Sequence, residues 1–263
     1  MKAIHGRRRA QKLVAAAIGA GVVAGNVTAD AATMSFQEGD SNSYAGTQDT
    51  WFSNRTNGES NGFPEGTFVR SALWSSANQQ GLIKFDGVFG GGAIPLGSAI
   101  DSATLTLVVP SDITYADGEA NAVHQMLVDW VETDAFAATQ WAGGASEGID
   151  LDDNEAASVA VADTTSYAVG GVIPAGTTME IDVTSVVQDW SDGAGNFGLL
   201  LQSLGQSAGN GLFVASSEYA GAGGQAARPL LTVNYTVPEP TTALLLGLGS
   251  VLMVAAVRAL RQY

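Results

Sequence analysis

Hydrophobic and polar residues alternate with a period of two along much of this chain. Ala103, Leu105, Leu107 and Val109 share one side of such a stretch, and Thr104 and Thr106 lie on the other. Successive side chains of a strand point to opposite faces of a sheet, so this spacing predicts a half-buried strand. The same alternation recurs near Ile181 and Val183, from Phe197 to Leu201, from Leu212 to Val214, and from Leu231 to Tyr235.

Glycine-rich turn signals separate these stretches, and long helical periodicity is missing from the sequence. Residues 87–92, 170–171 and 221–224 are turn clusters. Only Val183 to Trp190 fits a helical turn, and Glu38 to Ser60 is interpreted as a polar lead-in. Short strands joined by such turns are typical of sandwiches and barrels. The predicted fold is therefore all-β, a β-sandwich or jelly roll, flanked by an N-terminal signal peptide and a C-terminal transmembrane helix.

Residues 1–31 have the pattern of a secretory signal peptide. Five basic residues within the first twelve positions precede a short apolar run from Leu13 to Ala24. Ala29-Asp30-Ala31 then supplies a cleavage site with small residues. The alternative is a first membrane helix, but the run is shorter than the ~20 apolar residues that span a bilayer. The sequence therefore predicts export.

The C-terminus carries a second signal, with three parts in a fixed order. Pro238, Glu239 and Pro240 precede an apolar stretch over residues 241–257, and Arg258 and Arg261 follow it. This order resembles the PEP-CTERM sorting signal of Gram-negative bacteria. The resemblance implies processing by an exosortase after transient anchoring in the inner membrane, then delivery to the cell envelope, cell surface or extracellular matrix. A plain C-terminal anchor is the alternative.

Composition and charge restrict the function classes. The chain of 263 residues contains no cysteine, which excludes a disulfide framework and thiolate metal sites. Between residues 32 and 237 there are 4 basic and 24 acidic residues, a formal charge of −20. Such a domain repels polyanions and lacks the basic patch of a nucleic-acid binder. A solvated acidic surface of the kind found in salt-adapted organisms explains this charge better than a function that needs the acids specifically.

Several motifs of the central region resemble DNRLRE-type domains. The segments that carry the resemblance occur in the family's order across residues 36–236. They are residues 80–86, 100–107, 128–141, 181–190, 196–201, 216–218 and 227–233. The resemblance implies a jelly roll of the carbohydrate-binding-module kind, attached to secreted enzymes or surface proteins. Some relatives bind alginate-like uronic acid polymers. Because this chain has so few basic residues, we expect a neutral glycan, or an acidic one only where calcium bridges it to the protein.

Carbohydrate recognition usually needs an exposed aromatic ring against which a sugar packs. The sequence offers five candidates for such a platform, whereas Trp130 and Trp190 lie in the family-like motifs and are expected in the core. The candidates are Trp51, Trp74, Tyr115, Trp141 and Tyr219.

The densest run of potential oxygen ligands lies between Glu147 and Glu155. Calcium takes 6–8 oxygen ligands, and such a run is typical of a calcium-binding loop. The EF-hand pattern fails, because Val161 stands where the closing acid is required when the loop is counted from Asp150. A structural calcium ion and an exposed acidic loop remain the two interpretations. The candidate ligands are Asp150, Asp152, Asp153, Asn154 and Glu155.

Catalysis is not predicted. Glu132 and Asp134 could form the paired carboxylates of a glycosidase, but a strand end explains them better. His124 is the one histidine of the predicted exported region and is expected to be a structural or surface residue. The prediction is a secreted, non-catalytic surface or matrix protein that binds or organises polysaccharide. The alternatives are a purely structural matrix protein without a ligand site and a polysaccharide-degrading enzyme.

Overall fold

The structure is a computed structural model, and it describes residues 31–40, 42–53, 68–74, 77–114, 121–132, 149–163, 171–203 and 210–237. It contains thirteen strands, one α-helix and one short 3-10 helix within these ranges. The strands are β1 (Ala31–Gln37), β2 (Thr47–Ser53), β3 (Phe68–Trp74), β4 (Ala77–Phe85), β5 (Ala99–Val108), β6 (Ile113–Thr114), β7 (Asn121–Gln125), β8 (Ala162–Asp163), β9 (Val172–Ile173), β10 (Thr178–Asp182), β11 (Leu199–Ser203), β12 (Asn210–Ala215) and β13 (Leu230–Thr236); the helices are α1 (Thr184–Ser191) and the 3-10 turn Gly224–Ala227.

The first sheet has four antiparallel strands in the order β1-β13-β5-β10. β13, the last strand among the described residues, lies between β1 and β5. β1 pairs with β13 over seven consecutive residues, from Ala31 opposite Thr236 to Gln37 opposite Leu230. The β13–β5 pairing is interrupted by a register shift between Asn234 and Tyr235.

The second sheet follows the order β12-β3-β4-β11-β7-β8, and β2 joins it by pairing with β4. β4 is its organising strand because it pairs with β2, β3 and β11. A separate two-stranded ladder joins β6 and β9.

The two large sheets pack face to face around one apolar core. Leu105 and Val233 of the first sheet belong to the same buried cluster as Ile83, Val123 and Leu201 of the second. A second, smaller cluster lies on the other side of the second sheet, where Trp130 packs among residues such as Leu82 and Met126. The all-β, sandwich-like character predicted from the alternation is confirmed.

Strands with apolar alternation were predictable, but β2 was not. The prediction of a polar lead-in from Glu38 to Ser60 is wrong in its middle, where β2 pairs along β4. Apolar alternation is missing there because Thr47, Asp49 and Thr50 are themselves buried. Polar side chains occupy the buried positions of this strand, where apolar side chains are usual.

The predicted helical turn is a helix of eight residues, α1. Asp182 accepts hydrogen bonds from the backbone N–H and the hydroxyl of Thr184 at 2.9 and 2.6 Å, which fixes the start of the helix. The Thr184 hydroxyl accepts a bond from Ala103 N–H at 2.9 Å, tying α1 to β5. Among the described residues, no helix has the length and apolar character needed to cross a membrane. The predicted membrane helix over 241–257 lies outside those residues. So does the predicted signal peptide over 1–31, except for Ala31, which is the first residue of β1.

Candidate functional site

Among the described residues, the predicted aromatic candidates do not form an exposed platform. Trp51 on β2 is half-buried. Tyr219 is only 6% exposed and packs in a small cluster with Ala215 and Ala227, so little of its ring is left for a sugar. Trp74 lies on β3, where the structure describes the backbone pairing alone. Tyr115 and Trp141 lie outside the described residues.

The predicted calcium loop closes on itself through hydrogen bonds. Asp152 accepts bonds from the N–H and the side-chain amide of Asn154 at 3.0 and 2.7 Å, and these bonds lower the pKa of Asp152. Asp153 accepts from the N–H and hydroxyl of Ser158, and the buried Glu155 accepts from Asp150 N–H at 2.9 Å. The described acids of this loop do not form a group of three with converging carboxylates. The carboxylate oxygens of the loop therefore stabilise its own turns by accepting local hydrogen bonds.

Three carboxylates do converge elsewhere, from distant parts of the chain. One carboxylate oxygen each of Asp49, Glu132 and Glu218 lies within 4.8 Å of the other two. Asp49 is 2% exposed and its Oδ2 accepts a bond of 2.6 Å from Ser217 N–H. Oxygen ligands of this kind could hold a divalent cation.

The electrostatics of this acidic cluster are dominated by Asp49. Burial raises the pKa of Asp49 well above its ordinary value, and the negative charge of Glu218 raises it further, while the hydrogen bonds from Ser217 oppose the shift. A proton on Asp49 relieves the like-charge repulsion in the same way that a cation would. Sequence reasoning placed Glu132 as one of a pair with Asp134, which lies outside the described residues, and missed Asp49 and Glu218.

The described basic side chains are occupied with internal contacts. Lys84 is 4% exposed, and its Nζ donates to Trp130 O at 2.6 Å and lies 3.2 Å from Asp129 Oδ1. Arg228 donates to the carbonyls of Tyr219 and Glu38 at 3.0 and 3.2 Å. Neither is available to bind an anionic polymer. His124 is buried, with Nδ1 2.8 Å from Ala157 O.

The outer side of the first sheet carries a neutral surface, which we call the hydroxyl face. Its residues alternate with core residues on β1, β13 and β5, and the strand register aligns them in two rows across the sheet. The Thr33 hydroxyl donates a hydrogen bond to Asn234 Oδ1 at 2.5 Å, and Asn234 Nδ2 donates to the Ser102 hydroxyl at 2.8 Å. In the second row, the hydroxyl oxygens of Ser35 and Thr232 are 3.4 Å apart. The hydroxyl face consists of Thr33, Ser35, Ser102, Thr104, Thr232 and Asn234.

The hydroxyl face has two different borders. On one side, Thr104 pairs across to Asp182 on β10, and Glu180 of the same strand is also exposed. On the other side the sheet ends at β1. There an open groove of about 840 Å³ runs along Thr33 to Phe36, with residues 42–46 and 86–87 as its other wall.

Comparison of the chain with known protein families and with curated proteins finds no match. The resemblances to DNRLRE-type domains and to the PEP-CTERM signal therefore stay predictions.

Proposed function

We propose that this chain is a non-catalytic protein of the cell surface or extracellular matrix that binds neutral polysaccharide through the hydroxyl face. The observation that carries the proposal is the six-residue array of hydroxyl and amide groups aligned across three strands. Hydroxyl and amide groups donate and accept hydrogen bonds with sugar hydroxyls, and none of the six must lose the hydration of a charge on binding. We also propose that the sandwich is a jelly roll of the DNRLRE kind.

The charge of the chain selects the class of polysaccharide. The region from 32 to 237 has a formal charge of −20, and the basic residues Lys84 and Arg228 are engaged in internal hydrogen bonds. A uronate polymer would therefore meet repulsion that only salt or calcium relieves, because the Debye length falls from ~10 Å at 0.1 M salt to ~3 Å at 1 M. A neutral polymer meets no such barrier.

A polymer compensates for weak individual contacts. Each net hydrogen bond contributes about 0.5–1.5 kcal/mol, so one sugar on this face would be held weakly. A polysaccharide offers many equivalent segments to each protein, and linked contacts raise the overall affinity without any new type of contact. This mode of binding suits a protein that organises a matrix.

The test is retention of the full chain on insoluble neutral polysaccharide, with alginate beads as the anionic comparison, at low salt and with a chelator. Thr104 and Thr232 are paired in register, and the double variant Thr104→Val/Thr232→Val removes two hydroxyls while keeping the side-chain shape. We expect retention on the neutral polymer to fall about tenfold, the effect of roughly 1.4 kcal/mol. Thr178→Val, on the exposed edge strand outside the hydroxyl face, should leave retention unchanged.

Two results would contradict the binding proposal. One is wild-type retention on no neutral polysaccharide, which would favour the purely structural alternative. The other is strong retention on alginate at low salt that weakens as salt rises, which would indicate a basic site instead.

The location of the protein is a second part of the proposal and rests on the sequence signals at the two ends. We expect exosortase processing near Pro238-Glu239-Pro240, so the mature surface protein lacks the apolar stretch 241–257. Intact-mass measurement of the native surface fraction tests this expectation. Recovery of residues 241–263 in that fraction would refute it.

A further inference from the structure

The edge strand β1 lacks the features that keep sheet edges from pairing. Its sequence, Ala-Ala-Thr-Met-Ser-Phe-Gln, contains no charge and no proline. It runs without a bulge along β13 for seven residues, and within the described residues β13 is its one strand partner. An edge strand presents a row of backbone N–H and C=O groups to any strand that approaches it. β1 is therefore a template for a further strand.

The opposite edge of the same sheet is protected. β10 carries Glu180 and Asp182, both exposed, within five residues. Charged residues on an edge strand discourage pairing, because a second copy would bring like charges together. The two edge strands of this sheet thus differ in charge, and charge on an edge strand discourages the addition of a further strand.

The groove beside β1 has room for an added strand. Its volume is about 840 Å³, and its far wall consists of residues 42–46 with Asp86 and Gly87. The Tyr44 ring packs edge-on against Phe36 with 5.3 Å between centroids, and its hydroxyl donates to Asp86 O at 2.9 Å. Because the ring is held in these contacts, the groove offers edge-strand backbone rather than an open aromatic platform for a sugar.

We propose that a second copy of this chain docks antiparallel along β1, so that two four-stranded sheets form one eight-stranded sheet. A two-fold axis near Met34 places Thr33 of one copy opposite Ser35 of the other, and both contacts repeat by symmetry. The strands that meet are uncharged, although each chain has a formal charge of −15. The pairing also joins the two hydroxyl faces side by side.

The charge gives the dimer a defined salt dependence. Repulsion between two acidic chains weakens with screening, whereas backbone hydrogen bonds do not depend on it in this way. We therefore expect the dimer fraction, measured by analytical ultracentrifugation of the full chain, to increase from 0.05 to 0.5 M salt (about 14 to 4 Å of Debye length).

Cysteine cross-linking tests the pairing directly, because the chain has no cysteine of its own. Directly opposed residues of antiparallel strands have Cα atoms about 4.5–5.5 Å apart, within the usual disulfide range of about 4.4–6.8 Å. The variant Thr33→Cys/Ser35→Cys should give a covalent dimer of doubled mass under mild oxidation. The variant Thr178→Cys on β10, which keeps the charges of Glu180 and Asp182, should stay monomeric.

Charge variants separate loss of pairing from loss of folding. Thr33→Glu/Ser35→Glu places four carboxylates at the joint and should abolish the dimer, while Thr33→Lys/Ser35→Glu pairs opposite charges and should restore it. Circular dichroism melts establish that each variant folds. Equal cross-linking on both edges would overturn the proposal. A chain that stays monomeric at every salt concentration would also overturn the proposal. This includes a monomer whose groove binds an oligosaccharide or a foreign peptide. Polysaccharide retention is measured on the wild-type chain, because Thr33 and Ser35 themselves belong to the hydroxyl face. Dimerisation is measured by ultracentrifugation without polysaccharide, so the two proposals fail independently.

Discussion

Replacing Trp130 by alanine should destabilise the protein by about 3–5 kcal/mol, the usual cost of removing a buried tryptophan side chain. Trp130 is 1% exposed and packs with Leu82, Met126 and Leu200 on the outer side of the second sheet. Its indole N–H donates to Phe197 O at 2.8 Å, and the Lys84 ammonium lies 5.2 Å from the ring centroid. The substitution therefore removes packing, a hydrogen bond and a cation–π contact together.

The loss is measured by urea unfolding of the full chain. Trp130→Phe keeps most of the ring but leaves Phe197 O without this donor, so we expect a smaller loss of about 1–3 kcal/mol. Val159→Ala, at a position that is 77% exposed, is the control and should change stability by less than about 0.5 kcal/mol. If Trp130→Ala and Val159→Ala unfold at the same urea concentration, the second cluster does not stabilise the fold.

Replacing Asp49 by asparagine should stabilise the protein at neutral pH. Because the pKa of Asp49 is raised by burial and by Glu218, the folded chain binds this proton more tightly than the unfolded chain does. The stabilisation from the protonated form is complete below the unfolded pKa of ~3.9 and is lost as pH rises through the folded pKa. An asparagine side chain has no such proton to lose, and its carbonyl oxygen can still accept the bond from Ser217 N–H.

Melting curves from pH 3.5 to 8 in chelator test the sign of this effect. We expect Asp49→Asn to gain about 1–3 kcal/mol over the wild type at pH 7, the range for relieving one poorly compensated buried group, and nothing below pH 4. Glu180→Gln removes one exposed negative charge from β10 and should not change the pH profile. A variant with the wild-type profile, or one destabilised at pH 7, would show that Asp49 is ionised in the fold without penalty.

The Asp49→Asn variant also tests whether the acidic cluster binds calcium. If Asp49, Glu132 and Glu218 hold a cation, added calcium should raise the wild-type melting temperature at pH 7 by mass action and leave Asp49→Asn unchanged. The predicted loop ligands Asp152 and Asp153 provide the comparison, since their carboxylates already accept bonds from Asn154 and Ser158.

The sequence predicted the strands that bury apolar side chains and missed those that do not. β5 and β13 place residues such as Leu105 and Val233 in the core at every second position, and this is the signal that alternation detects. β2 buries Thr47 and Asp49 instead, so no apolar period marks it. Trp130 was expected in the core because it lies in a motif that resembles DNRLRE-type domains, and it is buried.

The candidate site was less predictable, because it depends on which strands become neighbours. Thr104 could be assigned to the outer side of its strand from the sequence alone. Its alignment with Thr232 and Ser35 depends on β13 inserting between β1 and β5, and no local pattern specifies that order. The same holds for Asp49 and Glu218, which meet only after the chain has crossed between sheets several times.

The position of β13 also constrains the order in which the protein can fold. Among the described strands β1 is the first, yet its strand partner is the last, from Leu230 to Thr236. Pairings of such long sequence separation form slowly, because the entropy of closing the intervening loop is lost before any contact is gained. The first sheet cannot close until residue 236 has left the ribosome and, in an exported chain, has crossed the membrane. If the chain is exported as proposed, its folding is completed only after translocation, and β1 lacks its β13 partner until then.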